Sequence, residues 1–188
     1  VRAELPFAEV VQGPSPQSTS FENHYVGGQR KQRVLSRAAP VGIDDVPDAW
    51  RTSAIALVGP VLGEIEPACA AALDDAALVG VSPQGWLRAL DADGNVTRIA
   101  YDGAPFWHGA DAIFVSDEDL LGGRGDTKPW LEGGAVVTMT ESHRGAQVWS
   151  GGVWRRIGAF PEDEVDPTGA GDTFATAFLI RLHETGDV

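Results

Sequence analysis

One stretch constrains this chain more than any other. Glu164-Val165-Asp166-Pro167-Thr168-Gly169-Ala170-Gly171-Asp172-Thr173-Phe174 leads into an apolar-rich run that reaches Leu179. Its first half is not helical, because Pro167 disfavours the αR region at Asp166 and two nearby glycines free the backbone. Its second half is helical, with Phe174, Ala177, Phe178 and Arg181-Leu182 spaced along one face. A glycine turn that opens a helix leaves its first amides without intrahelical partners, and the macrodipole adds partial positive charge there. The stretch therefore describes an anion site. Asp172 stands inside it. A carboxylate there either caps the helix, as an Asp at a helix start commonly does, or acts as a base beside a transferring phosphoryl group. Only the second role explains a carboxylate that an anion would repel.

Upstream, apolar runs at residues 54–58, 76–81, 110–115 and 135–139 end at Gly59-Pro60, Ser82-Pro83, Ser116 and Thr140. Continuous apolar runs of this length mark strands covered on both faces. Asp44-Asp45-Val46-Pro47 signals a helix start, and residues 64–73 read as an alanine-rich helix with Pro67 in its first turn. Such alternation predicts a parallel α/β sheet whose ligands collect beyond the strand carboxyl ends. Hairpins are expected at 86–90 with 96–101 across Asp93-Gly94, and at 147–149 with 153–157 across Gly151-Gly152. Residues 1–40 read as extended. Within them, the period-two run 19–25 turns at Gly27-Gly28 into 29–35, and Arg30-Lys31-Arg33 reads as a solvated edge in preference to a phosphate contact.

Composition narrows the class. A formal charge of −13 argues against nucleic acid or an anionic membrane as partner. Cys69 is the only cysteine and lies in the alanine-rich run, which suits a small buried thiol and a reducing cytoplasm. No run approaches the ~20 apolar residues of a membrane span. The sequence holds no Gly-x₄-Gly-Lys-Ser/Thr loop and no His/Cys metal pattern, and its six tryptophans are scattered like core residues.

The Asp166–Phe174 stretch resembles the signature of the ribokinase-like (PfkB) carbohydrate kinase family, Asp-Thr-x-Gly-Ala-Gly-Asp-[Ser/Thr]-Phe, with Pro167 in place of Thr. The resemblance implies an ATP-dependent phosphotransferase acting on a sugar or polyol hydroxyl, or a nucleoside kinase of the same fold. It also admits a non-catalytic binding or regulatory protein. It implies a three-layer α/β/α sheet, with a lid-type β hairpin in 1–40 and a catalytic core in 41–188. Because such kinases are longer, an interior segment with an incomplete fold is expected. Asp172 would be the general base, and the amides of Gly169, Ala170 and Gly171 would hold the transferring group, with Thr168 beside them at the nucleotide. Residues 136–145 resemble the family's nucleotide-phosphate segment. They would place Thr138, Thr140 and Gly145 at the donor, with Thr140 where glycine is usual; the alternative is a plain strand and turn. Arg144 is either a phosphate contact or a solvated loop residue. Ser116-Asp117-Glu118-Asp119 stands at the family's Asn-x-x-Glu motif, so Ser116 and Asp119 would organise Mg²⁺, or would simply cap a helix. Asp166 would help hold K⁺. Lid hairpins in the family also make homodimers.

Overall fold

In this computed structural model, which describes residues 6–26, 29–73, 75–161, 163 and 165–188, the apolar runs become the centre of a six-stranded sheet. The chain opens with β1 (Ser20–Val26) and β2 (Gln29–Ser36), an antiparallel pair that forms its own small sheet. The expected Gly27-Gly28 turn between them lies outside the described residues. The central strands follow: β3 (Ala56–Val58) and β4 (Val79–Val81), then β7 (Ala112–Ser116) and β8 (Val136–Thr140). All four run parallel, and β9 (Ala146–Ser150) and β10 (Val153–Ile157) add an antiparallel hairpin beside β8. The spatial order is β10-β9-β8-β7-β4-β3. Between β4 and β7 the chain makes a third small sheet from β5 (Arg88–Leu90) and β6 (Val96–Arg98). The β1–β2 hairpin attaches there, through the amide of Val34 donating to the Gly94 carbonyl at 2.9 Å.

Strand alternation divides the core in two. Ile113, Val115, Val137 and Met139 face one side, together with Val58, Val79 and Val81. That side is filled by Phe106, Trp86 and, from the short helix α3 (Lys128–Glu132), Trp130; the Trp86 and Trp130 rings pack with centroids 5.1 and 5.4 Å from Phe106. Ala112 and Phe114 face the other side. They meet Ala175 and Leu179 of α4 (Ala170–Thr185), the long helix opened by the glycine turn. Phe174 and Phe178 stand edge-on to Phe114, at 6.3 and 5.5 Å between centroids. The result is the expected three-layer arrangement.

Local differences from the expectation have physical causes. The helix expected over 64–73 is only one turn, α2 (Ala68–Ala71), because Pro67 takes the N-cap position without a side-chain cap. The start signal at 44–47 yields a 3₁₀ turn, Ile43–Asp45, and the short α1 (Asp48–Arg51). Trp86 does not enter a strand. Pro83 opens a 3₁₀ turn over Pro83–Leu87, and the buried indole donates to the Ile65 carbonyl at 2.7 Å. Gly85 allows this close packing, since a Cβ there would lie 2.5 Å from the Pro60 carbonyl carbon.

Candidate functional site at the carboxyl edge of the sheet

The site begins at the glycine turn. Asp166 Oδ1 accepts the Thr168 amide at 2.9 Å, and the Ala170 amide donates to the Pro167 carbonyl at 3.1 Å. The Thr168 amide, and then its hydroxyl, hold the Asp166 carboxyl below the usual carboxylate range. The tightened chain then needs a left-handed residue, and Gly169 supplies it at φ 79° as the helix N-cap. Thr173 returns its amide to the Gly169 carbonyl at 2.9 Å, so the amides of Gly171 and Asp172 have no acceptor inside the helix. No side chain caps α4. Asp172, third in the helix and exposed, is therefore not the capping residue.

Packing aims this helix end. Phe174, early in α4, meets Phe114; Leu179, five residues on, lies over Gly80. Gly80 pairs with Ala112, two residues nearer the amino end of the sheet than Phe114. So α4 runs against the parallel strands, and its amino end points to their carboxyl edge. Ser116 and Thr140, paired in register, end β7 and β8 at that edge.

After β7, Ser116 Oγ accepts the Glu118 amide at 3.2 Å and closes an acidic 3₁₀ turn over Asp117–Asp119. Asp119 is buried beneath it. Its oxygens accept Gln84 Nε2 at 3.2 and 3.4 Å and the Ser116 amide at 3.4 Å, and Arg88 Nη2 lies 3.8 Å away. With its acceptor directions taken, Asp119 does not fit a direct metal ligand in this arrangement. Ser116 and Asp166 are engaged as caps of their own turns. Among the described residues no group of three or more His, Cys, Asp or Glu side chains is disposed to hold a metal.

After β8, Thr138 is fully buried and its hydroxyl donates to the Ile113 carbonyl at 3.4 Å. Thr140, two residues on and half-buried, stands at the strand end and donates to the Val115 carbonyl. Glu141 follows, buried, and accepts Gln147 Nε2 and Arg156 Nη2, each at 2.6 Å. Gly145 closes the loop at φ 94°, where a Cβ would stand 2.0 Å from the Ile157 carbonyl oxygen. Arg144 reaches back across the edge and pairs with Asp117. The structure thus gathers the loops after β7 and β8 and the start of α4 on one edge, with Thr138 sealed beneath it. Sequence reasoning missed the partners Arg88, Gln84 and Arg156. They stand 15 to 35 residues from the carboxylates they meet, and no local pattern marks them.

Residues 123–188, which carry the glycine turn and the β8 loop, match the pfkB family carbohydrate kinase description. Across a longer stretch the chain is 30% identical over 166 residues to inositol 3-kinase of Zea mays, covering 81% of this chain and 40% of the relative. It is 28% identical over 170 residues to inositol 3-kinase of Oryza sativa, covering 81% and 39%. The chain thus spans about two fifths of the length of these curated relatives. Among solved structures, a pyrophosphate-dependent kinase in the ribokinase family, complexed with a pyrophosphate analog and myo-inositol, superposes with TM-score 0.74. The two share 22% identity, and the match covers 89% of this chain and 62% of the other. Ribokinase from Thermotoga maritima superposes at TM-score 0.63 and 18% identity, covering 93% and 59%. At such identities the likeness shows the fold, which is ribokinase-like.

Proposed function

We propose that the protein transfers a phosphoryl group to a hydroxyl of a polyol or sugar, with the inositol-type cyclic polyols first among acceptors. One observation carries the reading: Asp172 sits exposed beside the free amides of the glycine turn and is not used as a cap. The acceptor oxygen forms the new P–O bond, the donor's bridging P–O bond breaks, and the hydroxyl proton passes to the Asp172 carboxylate. The amides of Gly169 and Gly171 stabilise charge on the transferring group, whereas the Ala170 amide, expected to join them, is already spent on the Pro167 carbonyl at 3.1 Å. Thr168, Thr140 and Gly145 line the donor side, with Thr138 supporting Thr140 from within. ATP is the donor the motifs favour; the pyrophosphate-dependent structural relative makes pyrophosphate the second donor to assay. Mg²⁺ would arrive with the donor's phosphates, and K⁺ would be sought near Asp166. Residues 1–40 would act as a lid, and as the contact of a homodimer, over a core of 41–188. No helix among the described residues is long and apolar enough to cross a membrane, which accords with work in the cytoplasm.

The saturated Asp119 and the sealed Thr138 favour a second reading, a non-catalytic member that kept the fold. The deciding experiment measures phosphorylation of a panel of cyclic polyols, sugars and nucleosides by the full-length protein, with ATP or pyrophosphate, beside Asp172→Asn. Turnover that the substitution abolishes supports the kinase. Turnover that survives overturns Asp172 as base, and donor binding without any turnover supports the second reading.

A further inference from the structure

We infer that Arg144 is the residue that holds the non-transferred phosphate of the donor, and that Asp117 keeps its guanidinium in place until the donor arrives. The inference rests on the kinase reading and deepens it. The turns Asp117–Asp119 after β7 and 141–145 after β8 carry four carboxylates, on Asp117, Glu118, Asp119 and Glu141. Two are already committed, Asp119 to Arg88 and Gln84 and Glu141 to Arg156 and Gln147. Arg144 is the guanidinium these two turns contribute, in a chain of formal charge −13; Arg124, further on after β7, is engaged with Gln147 Oε1 at 3.0 Å and the Trp154 ring. Without it this edge would repel a polyphosphate. Its backbone is rigidly placed. The Glu141 amide donates to the Gly145 carbonyl at 2.7 Å, the Arg144 amide to the Glu141 carbonyl at 3.1 Å, and Gly145 presses on Ile157.

Only the side chain of Arg144 is free to swing, and its pairing permits an exchange. The Arg144 side chain is 49% exposed and that of Asp117 is 26% exposed. Exposed ion pairs stabilise weakly, whereas a guanidinium on phosphate makes forked, charge-assisted bonds. A donor whose transferring group lies on the α4 amides extends its remaining phosphate along the edge, where Arg144 can leave Asp117 to meet it.

The test titrates ATP and inorganic pyrophosphate into the full-length protein by calorimetry, in an Asp172→Asn background that blocks turnover. Melting midpoints are recorded alongside. Arg144→Ala is expected to weaken donor binding about tenfold, the worth of one charge-assisted hydrogen bond, and Arg144→Lys to recover part of it. Asp117→Asn breaks the same ion pair, yet should bind donor at least as tightly as the parent. Equal weakening by Asp117→Asn and Arg144→Ala would make the pair a structural tie and overturn the proposal. So would an Arg144→Ala variant that binds normally. Loss of the Arg144 assignment leaves the kinase reading intact if Asp172→Asn still abolishes turnover, so the two failures are distinguishable.

Discussion

Asp172 illustrates how position releases a common residue from its common task. An Asp at a helix start ordinarily accepts an amide as the cap; here the left-handed Gly169 occupies that place, and Asp172 stands third in the first turn, exposed. On the proposed kinase reading, replacing it with Asn keeps the shape and removes the base. The catalytic constant should fall by about 10²–10⁴-fold, while donor affinity, read by calorimetry, stays within a few-fold. Gly145 is constrained in a different way. Its φ of 94° and the carbonyl oxygen 2.0 Å from where a Cβ would stand leave no room for alanine. Gly145→Ala should cost about 3 kcal/mol, from left-handed strain plus overpacking, and denaturant unfolding will measure it. The loss should come with weakened donor binding, because the same loop carries Arg144.

At the scale of elements, α4 is held to the sheet by a narrow seam. Leu179 is fully buried over Gly80, and a Cβ on Gly80 would stand 2.5 Å from its Cδ1. Leu179→Ala should cost about 2–5 kcal/mol. Gly80→Ala alone should also destabilise, by crowding Leu179. Together they should cost less than the sum of the two, because the added methyl enters the space the leucine leaves. A double-mutant cycle by denaturant unfolding checks this, and strict additivity would show that the two do not touch. The turn before α4 carries its own pH dependence. Asp166 titrates below its ordinary value in the folded protein because Thr168 donates to its carboxylate. A lowered folded pKa adds stability that is fully present above the ordinary Asp range and is lost as pH falls through the folded value. Protection of the Thr168 amide from hydrogen exchange, taken relative to its intrinsic rate at each pH, should therefore fall on acidification, and Asp166→Ala should remove that pH dependence.

For the molecule as a whole, the legible part was the part written in local pattern. Covered strands read as unbroken apolar runs, hairpins as Asp93-Gly94 and Gly151-Gly152, and the helix start as Pro167 and two glycines. Hence strand order along the chain, the α/β class and the edge that carries the site followed from residue types and spacing, which depend only on near neighbours. Strand ends and helix lengths were less legible. Propensity does not say where neighbours stop pairing, and β3, which hydrogen-bonds only to β4 in the sheet, keeps three residues of its five-residue run. The choice between roles for one side chain was least legible of all. Whether Asp119 binds a cation or an arginine, and whether Thr138 or Thr140 reaches the edge, depends on groups brought near only by folding. Charges and hydrogen-bond donors act over a few ångströms in space whatever their distance in sequence. Thus the sequence alone determined the fold class and the glycine turn that opens α4, while the tertiary structure decided which carboxylates are committed to partners and which stand exposed at the edge.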